Sequence, residues 1–260
     1  AEQLLAGGGA GRLRWANYLE GDFNEHRELA AAELGLSEAA LGALQWHQVP
    51  DFAAVDARKL RDYDLVVCAQ PGALRASDPL GFLAGAHQLL KPGGLLVVGT
   101  QYEWPSAAAG AGSGKEVLEA ALAPWFEEAL EPQDLPFAKA ETARKFECGV
   151  QQLSFWRRRE QELPAAAAGA GAASPAASGA AAAAAEAQGQ AVYDDEAVLG
   201  QYLDFHYGPQ SEYPAACAAL CLEAVRELGV APQRALEVGA GPGRASLELS
   251  KVFGHVDGGD

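Results

Sequence analysis

The hydrophobic pattern switches along the chain between continuous apolar runs and apolar residues at helical spacing. Over 63–70, "YDLVVCAQ" is nearly all apolar, which predicts a strand buried on both faces of a parallel sheet. "DPLGFLAGAHQLLKPGG" follows with apolar residues at helical spacing and predicts a helix, ended by Lys91, Pro92, Gly93 and Gly94. "LLVVGTQYEW" is a further buried strand, so strand, helix and strand make a right-handed parallel crossover. "LQWHQV" is an earlier strand candidate, closed at once by Pro50 and Asp51, and "EQLLAGG" and "AAAELGL" predict short helical pieces near the start. A glycine-rich loop over 107–114 and a helix around 115–129 come next. Two late extended segments follow, "QDLPFAKAE" and "RKFECGVQQLSFWRRR", the second alternating as an antiparallel strand with one accessible face does.

A tract of alanine and glycine over 164–191 interrupts this pattern. It has little to bury except methyl groups, which predicts a flexible linker, with 180–187 able to form a short undocked helix. The chain thus divides into 1–160, the linker 161–191, and 192–260. In the last block, "DDEAVLGQYLDFHYG" opens the segment. Cys217, Leu220, Cys221, Ala224, Val225 and Leu228 then mark one face of a helix with a 3.6-residue period, stopped by Gly229. The closing stretch, "ALEVGAGPGRASLELSKVFGHVDGGD", reads as strand, glycine turn, helix and strand. Alternating strands and helices of this kind predict an α/β fold.

Composition narrows the function. Of 260 residues, 49% are hydrophobic and 8% aromatic, ample for a packed core. The formal charge of −16, with Lys and Arg scattered, argues against a nucleic-acid groove, and the basic run Arg157, Arg158 and Arg159 reads as a solvated strand end. No run reaches the ~18 apolar residues of a membrane span and no signal peptide is visible, which reads as cytoplasmic. The chain starts at Ala1 and contains no methionine, as an excerpt of a longer protein would. Of four cysteines, Cys68, Cys217 and Cys221 lie in apolar stretches and are expected to be buried, without disulfide or metal roles; Cys148 is the fourth.

The chemistry concentrates in "LEVGAGPGR". Gly239, Gly241 and Gly243 follow an apolar strand and precede a helix, where glycine permits positive φ and lets backbone approach a ligand. The helix start would offer amide groups to a polar ligand, although a tight structural turn is the alternative. Glu237, two residues before the first glycine, would be costly inside a strand unless it meets a cationic or amine-bearing ligand. Asp260 ends the next apolar segment, where an acid can accept hydrogen bonds from ribose hydroxyls. Asp257 is either a solvated turn acid or shares that role.

Together, "LEVGAGPG", "YDLVVCAQ" and "LLKPGGLLVVG" resemble the first cofactor motif, the fourth strand, and the helix and fifth strand of S-adenosylmethionine-dependent methyltransferases. More closely, "LGQYLDFHYG", "YPAACAALCLEA", "GRASLELSKVFGHVDGGD", "DLPFAKAETARKFECGVQQLSFWRRR" and "QYEW" resemble the 4-mercaptohistidine N-methyltransferase domain of ovothiol-synthesis enzymes. The resemblance implies a Rossmann-like, mostly parallel seven-stranded sheet with helices on both faces. It also implies S-adenosyl-L-methionine as cofactor and methyl transfer to an imidazole nitrogen of a thiol-imidazole amino acid. In that family the segment like 191–260 comes first and the segment like 1–158 follows, so this chain resembles a circular permutant, or a window cut across two tandem copies. Contacts to the cofactor are then expected from Glu237, Gly239, Gly241, Gly243 and Asp260, with Asp51 in the place of the adenine reader and Gln70 at the fourth-strand end. Asp51 reads equally well as a solvated loop acid.

For the substrate, His206, Tyr207, Tyr102 and Trp104 are the candidates. Tyr102 and Trp104 could stack on an imidazole or simply pack in the core, and His206 could accept a proton or be a hydrogen-bonded helix-end histidine. The chain departs from the family at "AQPGALRASDP" and "PSAAAGAGSGKE", both in substrate-facing loops, which leaves a different acceptor open. A non-catalytic domain beside a covalently linked sulfoxide synthase is the third reading.

Overall fold

The computed structural model describes residues 11–20, 23–47, 60–69, 79–104, 112–160, 196–209 and 212–259. The linker, most of the 107–114 loop, and the candidates Asp51, Gln70 and Asp260 lie outside the described residues.

Two strands, β1 (Arg12–Glu20) and β2 (Phe23–Ala30), form an antiparallel hairpin registered from Arg12↔Ala30 to Glu20↔Phe23. β1 buries Leu13, Trp15 and Asn17 and exposes Arg12 and Arg14, the two-residue period of a strand with one covered face. A 3₁₀ turn at Ala31–Leu34 and helix α1 (Glu38–Gly42), N-capped by Ser37, lead into β3 (Leu44–His47). The predicted apolar run becomes β4 (Tyr63–Cys68), buried at every position, as a strand covered on both faces must be.

Helix α2 (Pro79–Gly85) and a following 3₁₀ turn stop at Gln88, earlier than predicted. Strand β5 (Leu90–Thr100) already includes the Lys91, Pro92, Gly93 and Gly94 expected to end the helix. These residues occupy an irregularity between the pairs Tyr63↔Leu90 and Leu65↔Leu95, and Lys91 pins it by a 2.7 Å bond from Nζ to Asp64. Helix α3 (Gly114–Leu122) is likewise shorter than expected, because Phe126 enters β6 (Phe126–Thr142) as a fully buried strand residue. Strand β7 (Lys145–Arg158) completes a long hairpin with β6. Arg157 and Arg158 are half-buried rather than solvated: Arg157 donates to the Leu228 carbonyl at 2.6 Å and Arg158 donates to the Leu90 carbonyl.

The last block forms α4 (Glu196–Tyr207), α5 (Tyr213–Glu227), β8 (Arg234–Val238), α6 (Arg244–Leu249) and β9 (His255–Gly259). Gly229, at φ +65°, lets the chain turn after α5.

A seven-stranded sheet runs β3-β9-β8-β4-β5-β7-β6, with β7 antiparallel to both of its neighbours. Its two central strands come from opposite ends of the chain, β4 pairing parallel to β8 from Leu65↔Ala235 to Cys68↔Val238. One face packs Leu65, Val67, Leu95 and Val97 against α4, α5, α6 and the β1 hairpin; the other packs Val66, Val98 and Leu236 against α2 and α3. The expected α/β architecture, mostly parallel with helices on both faces, is therefore present.

Cys68, Cys217 and Cys221 are buried and Cys148 is exposed. Asp257 is not a solvated turn acid: its side chain is 2% exposed and accepts from Tyr63 Oη at 2.6 Å, with His47 Nε2 at 2.6 Å and His255 Nε2 at 2.9 Å. Among the described residues, no helix is long and apolar enough to cross a membrane, and no side-chain cluster could hold a metal ion.

Candidate ligand-binding site

Parallel strands leave their ligand crevice at their carboxyl ends, where the chain departs in opposite directions from neighbouring strands. That point here lies between β8, whose successor β9 sits on one side, and β4 on the other. A cavity of about 360 Å³ opens there, floored by Glu237, Gly239, Ala69, Gly99 and Thr100. Helix α4 supplies Tyr202, Phe205 and His206; α5 supplies Tyr213 and Cys217; the β6–β7 hairpin supplies Phe137, Lys139, Glu147 and Gln151.

The glycine turn carries the strain that only glycine accepts cheaply: φ is +70° at Gly239, +50° at Gly241 and +86° at Gly243. It is tied to the end of β9 by the Ala240 amide, which donates to the Gly259 carbonyl at 2.9 Å. The helix after it, α6, spans only six residues. Ser246 on α6 donates its hydroxyl to the Glu237 carboxylate, which is 4% exposed and lines the cavity. A buried carboxylate is thereby held at the mouth of β8, where it can accept further hydrogen bonds.

His206 stands over this turn. A Cβ at Gly241 would lie 3.7 Å from His206 Nε2 and 3.9 Å from Cε1, and the ring is braced edge-on by Phe205 at 5.6 Å between centroids. Its Nδ1 is sealed from solvent and has no hydrogen-bond partner among the described residues. Burial, with the nearby Arg244 cation, pushes the imidazole down to about 3, so the ring is neutral at physiological pH.

The other substrate candidates stand elsewhere. Tyr207 does not line the cavity; it is buried behind the glycine turn and its hydroxyl donates to the Pro242 carbonyl at 2.7 Å. Tyr102, at φ +63°, donates its hydroxyl to Gln152 at 2.7 Å, and Trp104 Nε1 donates to the Gly114 carbonyl at 2.8 Å. Both pack on the far face, against the α2–α3 side, while their neighbours Gln101 and Glu103 line the cavity. Burial, reinforced by the carboxylates of Glu119, Glu128 and Asp134, raises the Tyr102 phenol above its ordinary value.

Sequence reasoning missed the aromatic wall. Phe137, Phe205 and Tyr213 pack together, with Phe205 and Tyr213 stacked at 5.8 Å and Phe137 edge-on to both. Tyr213 donates its hydroxyl to the buried Gln151, fixing an amide at the cavity wall. At the rim, Lys139 pairs with Glu147 at 2.7 Å and lies 5.2 Å over the Tyr202 ring. Three glutamates, at 103, 147 and 237, thus face one lysine among the described lining residues.

No known family profile and no curated protein matches the chain. Among solved structures it is similar to M1.HpyAVI in an S-adenosylmethionine complex: 11% identity, 84% of this chain and 92% of that chain covered, TM-score 0.45. It is also similar to TTHA0409 from Thermus thermophilus, a proposed DNA modification methylase: 15% identity, 83% and 88% covered, TM-score 0.43.

Proposed function

We propose that the chain is an S-adenosylmethionine-dependent methyltransferase acting on an imidazole nitrogen of a small thiol-imidazole amino acid of the 4-mercaptohistidine type. The observation that carries this reading is the meeting of buried Glu237 with the left-handed turn 239–243 at the carboxyl end of β8, where Glu237, Gly239 and Ala240 line the cavity. The donor set fits the cofactor. Glu237 offers a carboxylate to an amine, Gly239 and Gly241 leave backbone uncovered by any Cβ, and the aromatic wall offers π faces to a flat ring or a cation. In this reading Gly243 completes the turn, Asp260 takes the ribose, Asp51 the adenine, and Gln70 borders the active-site loops.

When bound, S-adenosylmethionine supplies an electrophilic methyl group on a sulfonium sulfur. What the chain supplies is placement: in-line approach of a neutral nitrogen, held by aromatic walls and fixed polar groups such as Gln151, dominates over acid and base chemistry. The surplus of carboxylates around the cavity favours a small acceptor over a polyanion, since phosphate binding needs cations and Lys139 is already paired.

The sheet order supports the permuted arrangement. Counting only the strands of the seven-stranded sheet, from residue 191 to 260 and then from 1 to 158, turns the observed order into 3-2-1-4-5-7-6, whose first five positions follow the doubly wound order of nucleotide-binding sheets.

Calorimetric titration with S-adenosylhomocysteine, beside Glu237→Ala, tests the reading. Micromolar binding by the chain, lost in the variant, is the expected result. A well-folded chain that binds nothing would overturn it and leave the scaffold role beside a synthase.

A further inference from the structure

The proton on His206 has a preferred place. A neutral imidazole carries one N–H, on Nδ1 or Nε2, and the partner each nitrogen meets decides which. Nδ1 is buried without a partner among the described residues, and a proton placed there would carry the full desolvation cost of an unsatisfied donor. The other edge of the ring, with Nε2, lies against the glycine turn, 3.7 Å from where a Cβ at Gly241 would stand, and His206 lines the same cavity as Gly239 and Glu237. The proton therefore favours Nε2, where it can be donated into the cavity.

We propose that His206 is a cofactor-positioning residue, whose Nε2–H donates to the carboxylate of the amino-acid end of the cofactor lying along the glycine turn. The inference rests on the methyltransferase reading and refines it. Two groups with opposite preferences line the one cavity, Glu237 able to accept from an amine and His206 to donate to a carboxylate, which together match an α-amino acid moiety. It also separates His206 from the acceptor chemistry, because a nitrogen that donates its proton cannot at the same time take one from the nucleophile. The ring is held for the task. Phe205 braces it, and the next residue, Tyr207, bonds to Pro242 in the same turn, so α4 and the turn are fixed relative to each other.

The test compares two ligands that differ only at the amino-acid end: S-adenosylhomocysteine, and 5′-methylthioadenosine, which lacks it. In the full chain both should bind. His206→Phe, which keeps a flat ring and removes the donor, should weaken S-adenosylhomocysteine roughly tenfold or more and leave methylthioadenosine unchanged, since a hydrogen bond to a charged group is worth about that much. His206→Asn, with an amide donor, should recover part of the loss. Methylthioadenosine binding by the variant doubles as its folding control. Equal weakening of both ligands, or no change in either, would overturn the assignment, as would a nitrogen NMR spectrum with the His206 proton on Nδ1. Failure of the wild-type chain to bind either ligand would instead overturn the methyltransferase reading beneath it.

Discussion

The Tyr207 hydroxyl donates a 2.7 Å hydrogen bond to the carbonyl of Pro242, joining the last residue of α4 to the middle of the glycine turn. Tyr207 is buried, lies outside the cavity, and is approached at 5.9 Å by the Arg244 guanidinium. The bond makes one unit of two elements that both contribute residues to the cavity. Removing it should act through the turn rather than through lost contact with a ligand.

Tyr207→Phe is accordingly expected to cost about 1 kcal/mol of stability, the typical worth of one neutral hydrogen bond. Urea denaturation measures that cost. Titration of the same variant should show weaker S-adenosylhomocysteine binding, although the deleted hydroxyl touches no ligand space. Unchanged stability and affinity together would mean that the bond does not brace the turn.

Gly200 makes a sharper demand on the same helix. It lies on α4 where the helix crosses β1, and a Cβ there would collide with the Ala16 carbonyl oxygen. No side-chain rearrangement relieves a clash with backbone, so α4 must move away from the hairpin. Gly200→Ala should destabilise the chain by about 1–3 kcal/mol, the usual cost of overpacking, and displace Tyr202, Phe205 and His206 from the cavity. The control is Gly42→Ala on α1, where a Cβ would meet nothing within 4 Å and better helix propensity should leave stability equal or higher. Thermal denaturation of the pair checks the contrast, and similar behaviour of the two variants would refute it.

The continuous apolar runs that became β4, β5 and β8 were readable because central strands of a parallel sheet have no solvent face to interrupt them. The face of α5 through Cys217, Cys221, Ala224 and Val225 was equally plain. The β1–β2 hairpin is not legible in the sequence, although Leu13, Trp15 and Asn17 alternate with charged or half-exposed residues. Its apolar side is narrow and becomes a core face only when α4 packs on it. Beyond Thr100 the chain leaves the strand, with Tyr102 at φ +63°, and Gln101 and Glu103 line the cavity while Tyr102 and Trp104 pack on the other face, a turn that the aromatic residues themselves do not announce. Phe137, Gln151 and Tyr213 come from separate elements and form a wall only through tertiary closure, which no local spacing announces.

Asp257 sets the acid limb of stability. Burial alone would raise its carboxyl, but hydrogen bonds from Tyr63 and His47, with the His255 imidazole close by, outweigh burial and hold it below the usual carboxylate range. A carboxyl held down in the folded state stabilises that state fully above its unfolded value of about 3.9, and the contribution is lost as pH falls through the folded value. The denaturant midpoint of the wild-type chain should therefore decline as pH is lowered below about 4. Asp257→Asn removes the titration and leaves Tyr63 and His47 without a charged acceptor. It should cost about 1–3 kcal/mol near pH 7 and flatten the decline below pH 4. The two stability curves should converge on the acid side, because the wild-type carboxyl is then protonated and as neutral as the amide. Parallel curves across the whole range would place the acid limb on other carboxylates and reduce Asp257 to a packing role.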